Sequence, residues 1–158
     1  MTDHISYWKN YWRDLEIHGP EIIIPEWHTS NERVFNNLVV GNSIWVIIWA
    51  GDDYPDEWRL LQKVYIKSLG IDTRDGKYEV EEYGHFHADG DKELSNVFDI
   101  ENQEDLTPLL HHLEFGRGKG MTARGKLIGR SFQSLRPLTE NDGRLLEAYS
   151  KSLKLMFG

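Results

Sequence analysis

The sequence predicts an α+β fold in a single domain spanning residues 1–158, and three observations carry that reading. Residues 44–49 (Ile-Trp-Val-Ile-Ile-Trp) are all β-branched or aromatic, the types that suit a pleated, buried surface. Gly51, Asp52, Asp53 and Pro55 then supply turn chemistry. Trp58, Leu60, Leu61, Val64, Tyr65 and Ile66 resume the apolar pattern, so residues 38–67 read as a β-hairpin with a long acidic tip. The third observation is a C-terminal helix. Thr139 stands as its cap, Asp142 at its third position, and Leu145, Leu146, Tyr149, Leu153 and Met156 as its apolar stripe.

The other elements follow in chain order. Residues 5–8 read as a first strand followed by a turn. Gly19, Pro20 and Pro25 then break the chain around the run Ile22-Ile23-Ile24. Ser30 or Thr29 is the expected N-cap of a short helix over residues 32–38. Residues 40–42 form a turn into the strand at 44–49, which is apolar enough to be central and buried on both faces. Beyond a turn at 72–77, residues 78–87 alternate as a strand, 88–93 read as a loop, and Val97, Phe98 and Ile100 as a short strand. Residues 104–113 read as a helix with Pro108 in its first turn. Residues 115–130 are glycine-rich and basic.

Composition narrows the chemistry. With no cysteine, the chain offers no disulfide, zinc–thiolate site, iron–sulfur cluster or thiol nucleophile, which fits a reducing compartment such as the cytoplasm. No signal peptide is evident at the N-terminus, and no run reaches the ~18 apolar residues of a membrane span. The net charge of −8 opposes nucleic acid over the surface as a whole, so a nucleic-acid site has to be a local basic patch.

Three segments carry a resemblance: YWKNYW (7–12), HTSNERVFNNLVVGNSIWVI (28–47) and SFQSLRPLTENDGRLLEAY (131–149). Their layout is similar to uncharacterised bacterial proteins and, more distantly, to PUA-like domains of the EVE/ASCH-related kind. Asn42 stands where that pattern has Asp, and the hairpin tip is longer here. The resemblance implies a small mixed β-barrel flanked by short helices. It also implies binding of RNA or modified bases in a pocket lined by aromatics.

The residues themselves offer three constellations. Trp8 and Trp27 lie beside Asn10, His28 and Asn31, which together suit the walls and polar edge of a pocket for a flipped base; the plainer reading is that the tryptophans are core. Arg117, Lys119, Arg124, Lys126, Arg130 and Arg136 fall in a stretch without one acidic residue, and the first five are the expected phosphate contacts. The plainer reading of that stretch is a solvated loop. His85 and His87 would share one face of a strand, with His111, His112, Asp89 and Asp91 as further donors, but no third ligand is placed by spacing. No Walker loop and no Gly-x-Ser-x-Gly elbow is present. The expected function is therefore nucleic-acid binding, DNA or RNA, without cofactor, metal or catalytic residue. The rivals are a protein-interaction module and a metal-dependent hydrolase using His85 and His87.

Overall fold

The computed structural model describes residues 2–71, 86–114, 125–132 and 135–156, leaving aside the side chains of Lys126, Leu127 and Arg130. In chain order the elements are β1 (His4–Tyr7), α1 (Tyr11–His18), a 3-10 turn (Pro20–Ile22), β2 (Glu26–Thr29), α2 (Glu32–Phe35), β3 (Ser43–Trp49) and β4 (Trp58–Ile71). They continue with β5 (Phe86–Gly90), β6 (Asn96–Val97), α3 (Thr107–His111), a 3-10 helix (Gly125–Phe132), β7 (Arg136–Pro137) and α4 (Glu140–Ser150).

The expected hairpin is present. β3 pairs antiparallel with β4, from Ser43 opposite Tyr65 to Trp49 opposite Trp58. β3 is also central, as its continuous apolar run requires. Trp45 and Ile47 join Ile5, Trp58 and Leu60 on one face, while Ile44, Val46 and Ile48 join Leu61, Val64 and Ile66 on the other. β1 lies parallel to β3 on its far side, and the chain between them (α1, β2 and α2) makes the crossover that a parallel pair needs.

The strand order is β2-β5-β4-β3-β1-β7, with β6 paired to β4 beside this path. Among the described residues the path is open, so the expected closed barrel is not formed. β4 explains the shape. Its 14 residues pair with β3 through the first part and with β5 through the last, and the register shifts at Val46/Ile47 and again at Ile66/Ser68. Each irregularity adds bend and twist to a strand. The sheet therefore curls until β2 returns to face β1, although three strands separate them, and the Trp27 indole N–H donates to Ser6 Oγ at 3.0 Å.

The convex face is covered by α3, the second 3-10 helix and α4, which supply Leu106, Leu110, Leu113, Ile128, Phe132 and Leu146 to the core. The capping of α4 is as expected. Thr139 Oγ1 accepts from Asp142 N at 3.0 Å, and Asp142 Oδ2 accepts from Thr139 N at 3.1 Å. Asp142 is fully buried, and its Oδ1 accepts from Glu114 N at 2.8 Å. α4 ends at Ser150, so Leu153 and Met156 both lie beyond it; Leu153 still packs against the core, whereas Met156 is exposed. No helix among the described residues is long and apolar enough to cross a membrane.

Other local expectations need correction. The turn expected after β1 is the eight-residue helix α1, because Tyr11 and Leu15 pack into the concave core and outweigh the β-preference of the aromatics. The cap of α2 is Asn31, whose Oδ1 accepts from Val34 N; Thr29 Oγ1 instead accepts from Asn31 N, and the helix stops at Phe35 rather than residue 38. Ala88–Gly90 is strand rather than loop, since β5 is paired on both sides and Ala88 is fully buried. The strand expected at 97–100 shortens to Asn96–Val97, and the helix at 104–113 to Thr107–His111. Of the strand expected at 78–87, residues 78–85 lie outside the described residues.

Asp142→Ala removes the acceptor for two backbone N–H groups. It is expected to lower the unfolding free energy by about 1–3 kcal/mol in urea denaturation with little change in slope.

Candidate functional site

The curl of the sheet leaves a cleft of 420 Å³ between β2 and the end of β1. Its floor is a row across three neighbouring strands: Ser6 opposite Val46, and Val46 opposite Gln62. Directly opposed residues point to the same side of a sheet, so all three face the cleft. Trp8 enters from the end of β1 and Trp27 from β2. Ile22, Ile24, Val34 and Leu135 add apolar wall. Lys9, Asn10 and Arg13 from the β1–α1 turn, and His28, Thr29, Ser30 and Asn31 from the β2–α2 turn, form the mouth.

The five residues expected to bind a ligand, Trp8, Asn10, Trp27, His28 and Asn31, thus line one cavity. The two indoles are held by their N–H groups. Trp8 donates to Asp14 Oδ2 at 2.8 Å, and Trp27 to Ser6 Oγ at 3.0 Å. Asp14 is buried and its other oxygen pairs with the Arg13 guanidinium at 3.3 Å. Tyr11 packs edge-on against both Trp8 and Trp12, with centroids 5.2 and 5.1 Å apart. Both cleft tryptophans are therefore partly buried rings with satisfied polar tips. Trp45 and Trp58 are fully buried in the core, whereas Trp49 is a partly buried ring packed against it.

His28 and His87 sit opposite each other in the β2–β5 ladder with ring centroids 5.9 Å apart. His28 Nε2 lies 3.3 Å from Glu26 Oε2, and His87 Nδ1 lies 3.1 Å from Asp89 Oδ2. His87 extends over Gly70 on β4, where a Cβ would stand 2.5 Å from its Nε2. Asp91 is engaged in a turn, and the backbone N–H groups of Leu94 and Glu93 hold its carboxyl below the usual range. His111 and His112 belong to the α3 end, on the convex side. No group of three or more His, Asp or Glu among the described residues is arranged to hold a metal ion. His85 lies outside them.

Of the expected phosphate contacts, Arg117, Lys119 and Arg124 lie outside the described residues. Lys126 and Arg130 belong to the 3-10 helix whose Ile128 and Phe132 pack on the convex face, so this anchor is not part of the cleft wall. The cations found at the mouth, Lys9 and Arg13, were not anticipated; nor were Ser6 and Gln62 on the floor. The available signal for Gln62 was a polar residue at an inward position of an otherwise apolar strand. It is 2% exposed, and its Oε1 meets no hydrogen-bond donor among the described residues. An unsatisfied buried acceptor costs about 1–3 kcal/mol.

No protein-family model matches the chain, and a search of curated proteins finds no match.

Burial pushes the Tyr11 phenol up to about 12 from an ordinary value of 10.0. The unfolded chain releases this proton first, so stability is complete below pH 10 and declines as pH rises towards 12. A Tyr11→Phe variant is expected to lose part of that alkaline decline in urea midpoints measured from pH 9 to 12; an identical pH profile contradicts the assignment.

Proposed function

We propose that the domain is a PUA-like binding module of the EVE-related kind whose cleft takes a nucleobase, plain or modified, of a nucleic acid. The observation that carries this reading is the convergence of Trp8, Asn10, Trp27, His28 and Asn31 on one 420 Å³ cavity. A base taken out of its stack needs flat apolar walls and hydrogen bonds along its edge. Two anchored indoles supply the walls, and the carboxamides of Asn10, Asn31 and Gln62 supply edge contacts. The volume suits a small planar ligand.

The relation to PUA-like domains rests on the sequence segments, because the open sheet departs from the barrel they imply. Two of those segments deliver the cleft residues: YWKNYW brings Trp8 and Asn10, and HTSNERVF brings His28 and Asn31. In a chain of net charge −8, the phosphate contacts are assigned to local cations. These are Lys9 and Arg13 at the mouth, with Arg117, Lys119, Arg124, Lys126 and Arg130 of the acid-free run. The reading assigns no cofactor and no catalytic residue, and places the protein in the cytoplasm.

Two kinds of variant separate the contributions. Trp27→Ala, once shown to be folded, is expected to lose about 1–3 kcal/mol of affinity for an oligonucleotide while leaving the salt slope intact. Arg124→Ala/Lys126→Ala is expected to weaken all sequences alike and to flatten log affinity against log salt by up to about two units. If the parent binds no member of a panel of single- and double-stranded, modified and unmodified oligonucleotides, the nucleic-acid reading gives way to a protein partner.

A further inference from the structure

The cleft floor carries more information than its walls. Ser6, Val46 and Gln62 lie in one cross-strand row and are 9%, 3% and 2% exposed. Val46 makes an apolar seat between two polar ends. At one end Ser6 Oγ accepts from Trp27, while its own proton meets no acceptor among the described residues. At the other end the Gln62 Oε1 is buried without a donor. Nothing among the described residues answers either group, and both residues line the cavity.

Resting on the base-binding reading above, we infer that this floor recognises the imide edge of a uracil- or thymine-type base. The ring N–H donates to Gln62 Oε1, one flanking carbonyl accepts from the Gln62 carboxamide N–H, and the other accepts from the Ser6 hydroxyl. The ring sits on Val46, between the indoles of Trp8 and Trp27. The chemistry follows from counting donors and acceptors. An edge that engages one Gln62 carboxamide N–H, Gln62 Oε1 and the Ser6 hydroxyl proton together has to carry one donor and two acceptors. An imide edge has that set with the N–H in the middle. One carboxamide then meets the N–H and a neighbouring carbonyl, and the hydroxyl across Val46 meets the second. An adenine edge has too few acceptors. A cytosine edge carries its donor at one end, and preference for it is an outcome of the test.

The test uses the whole protein and tryptophan fluorescence. The probes are short single strands of thymine, cytosine or adenine, and a thymine strand methylated at the ring N3. The thymine strand is expected to bind tightest, and N3 methylation to weaken it by about tenfold or more. Gln62→Met, close in size and apolar, is expected to erase that difference and leave weaker, base-indifferent binding. The same variant holds or raises the melting temperature of the free protein, because it removes the orphaned acceptor; a Gln62 that only supported the fold would give a lower one.

Thymine binding no tighter than cytosine or adenine, N3 methylation without effect, or a Gln62→Met variant that keeps the preference overturns this inference and leaves base binding standing. Failure of the parent to bind any strand overturns both. Should Gln62→Met not fold, the N3-methyl comparison on the parent decides.

Discussion

The structure depends on one strand having to serve two partners. β4 is too long to stay flat against β3, and its upper part is required by β5. The two register shifts resolve the conflict by bending the strand, and the bend decides where everything N-terminal goes. β2, carried at the far end of the path, returns to the level of β1. The two strands do not pair across the gap that remains. The Trp27–Ser6 hydrogen bond spans it, and the cleft lies along it.

The two faces of the sheet have been finished differently. The convex face is closed by helices and large side chains, and its core reaches from Ile5 to Leu146 with Trp45 and Trp58 fully buried. The concave face is apolar where α1 and α2 cover it, but polar groups intrude where the cleft opens: Ser6, Gln62 and the Asp14 carboxylate. Asp14 is satisfied by Trp8, whereas Gln62 Oε1 is not satisfied by the fold. A sheet selected for stability alone would place Leu or Val at that position.

What could be read in the sequence was local. The run at 44–49 declared a central strand because burial on both faces leaves no polar alternation, and Thr139 with Asp142 declared a helix start because the capping box lies within four residues. The wall and mouth of the cleft were legible for a similar reason: Trp8 with Asn10, and Trp27 with His28 and Asn31, are neighbours along the chain. That these two clusters meet was not legible, since it depends on the bend in β4. α1 was missed because its aromatics favour strand locally and only tertiary packing makes them helical. β5 was misread because Ala88 and Gly90 are poor strand formers that are held by neighbours on both sides. Gln62 carried no motif at all; its significance lies in what its oxygen fails to meet.

The six tryptophans offer a direct test of the claim that the cleft is the binding site, because each indole N–H gives its own nuclear magnetic resonance signal. Trp8 and Trp27 line the cleft, Trp45 and Trp58 lie in the convex core, and Trp12 and Trp49 sit at the hairpin tip, where Trp12 donates to Trp49 O and Trp49 to Pro55 O. Titration with a single-stranded oligonucleotide is predicted to shift the Trp8 and Trp27 signals together, in a saturable way, and to leave those of Trp45 and Trp58 in place. Saturable shifts confined to Trp12 and Trp49, with Trp8 and Trp27 unmoved, would contradict the account.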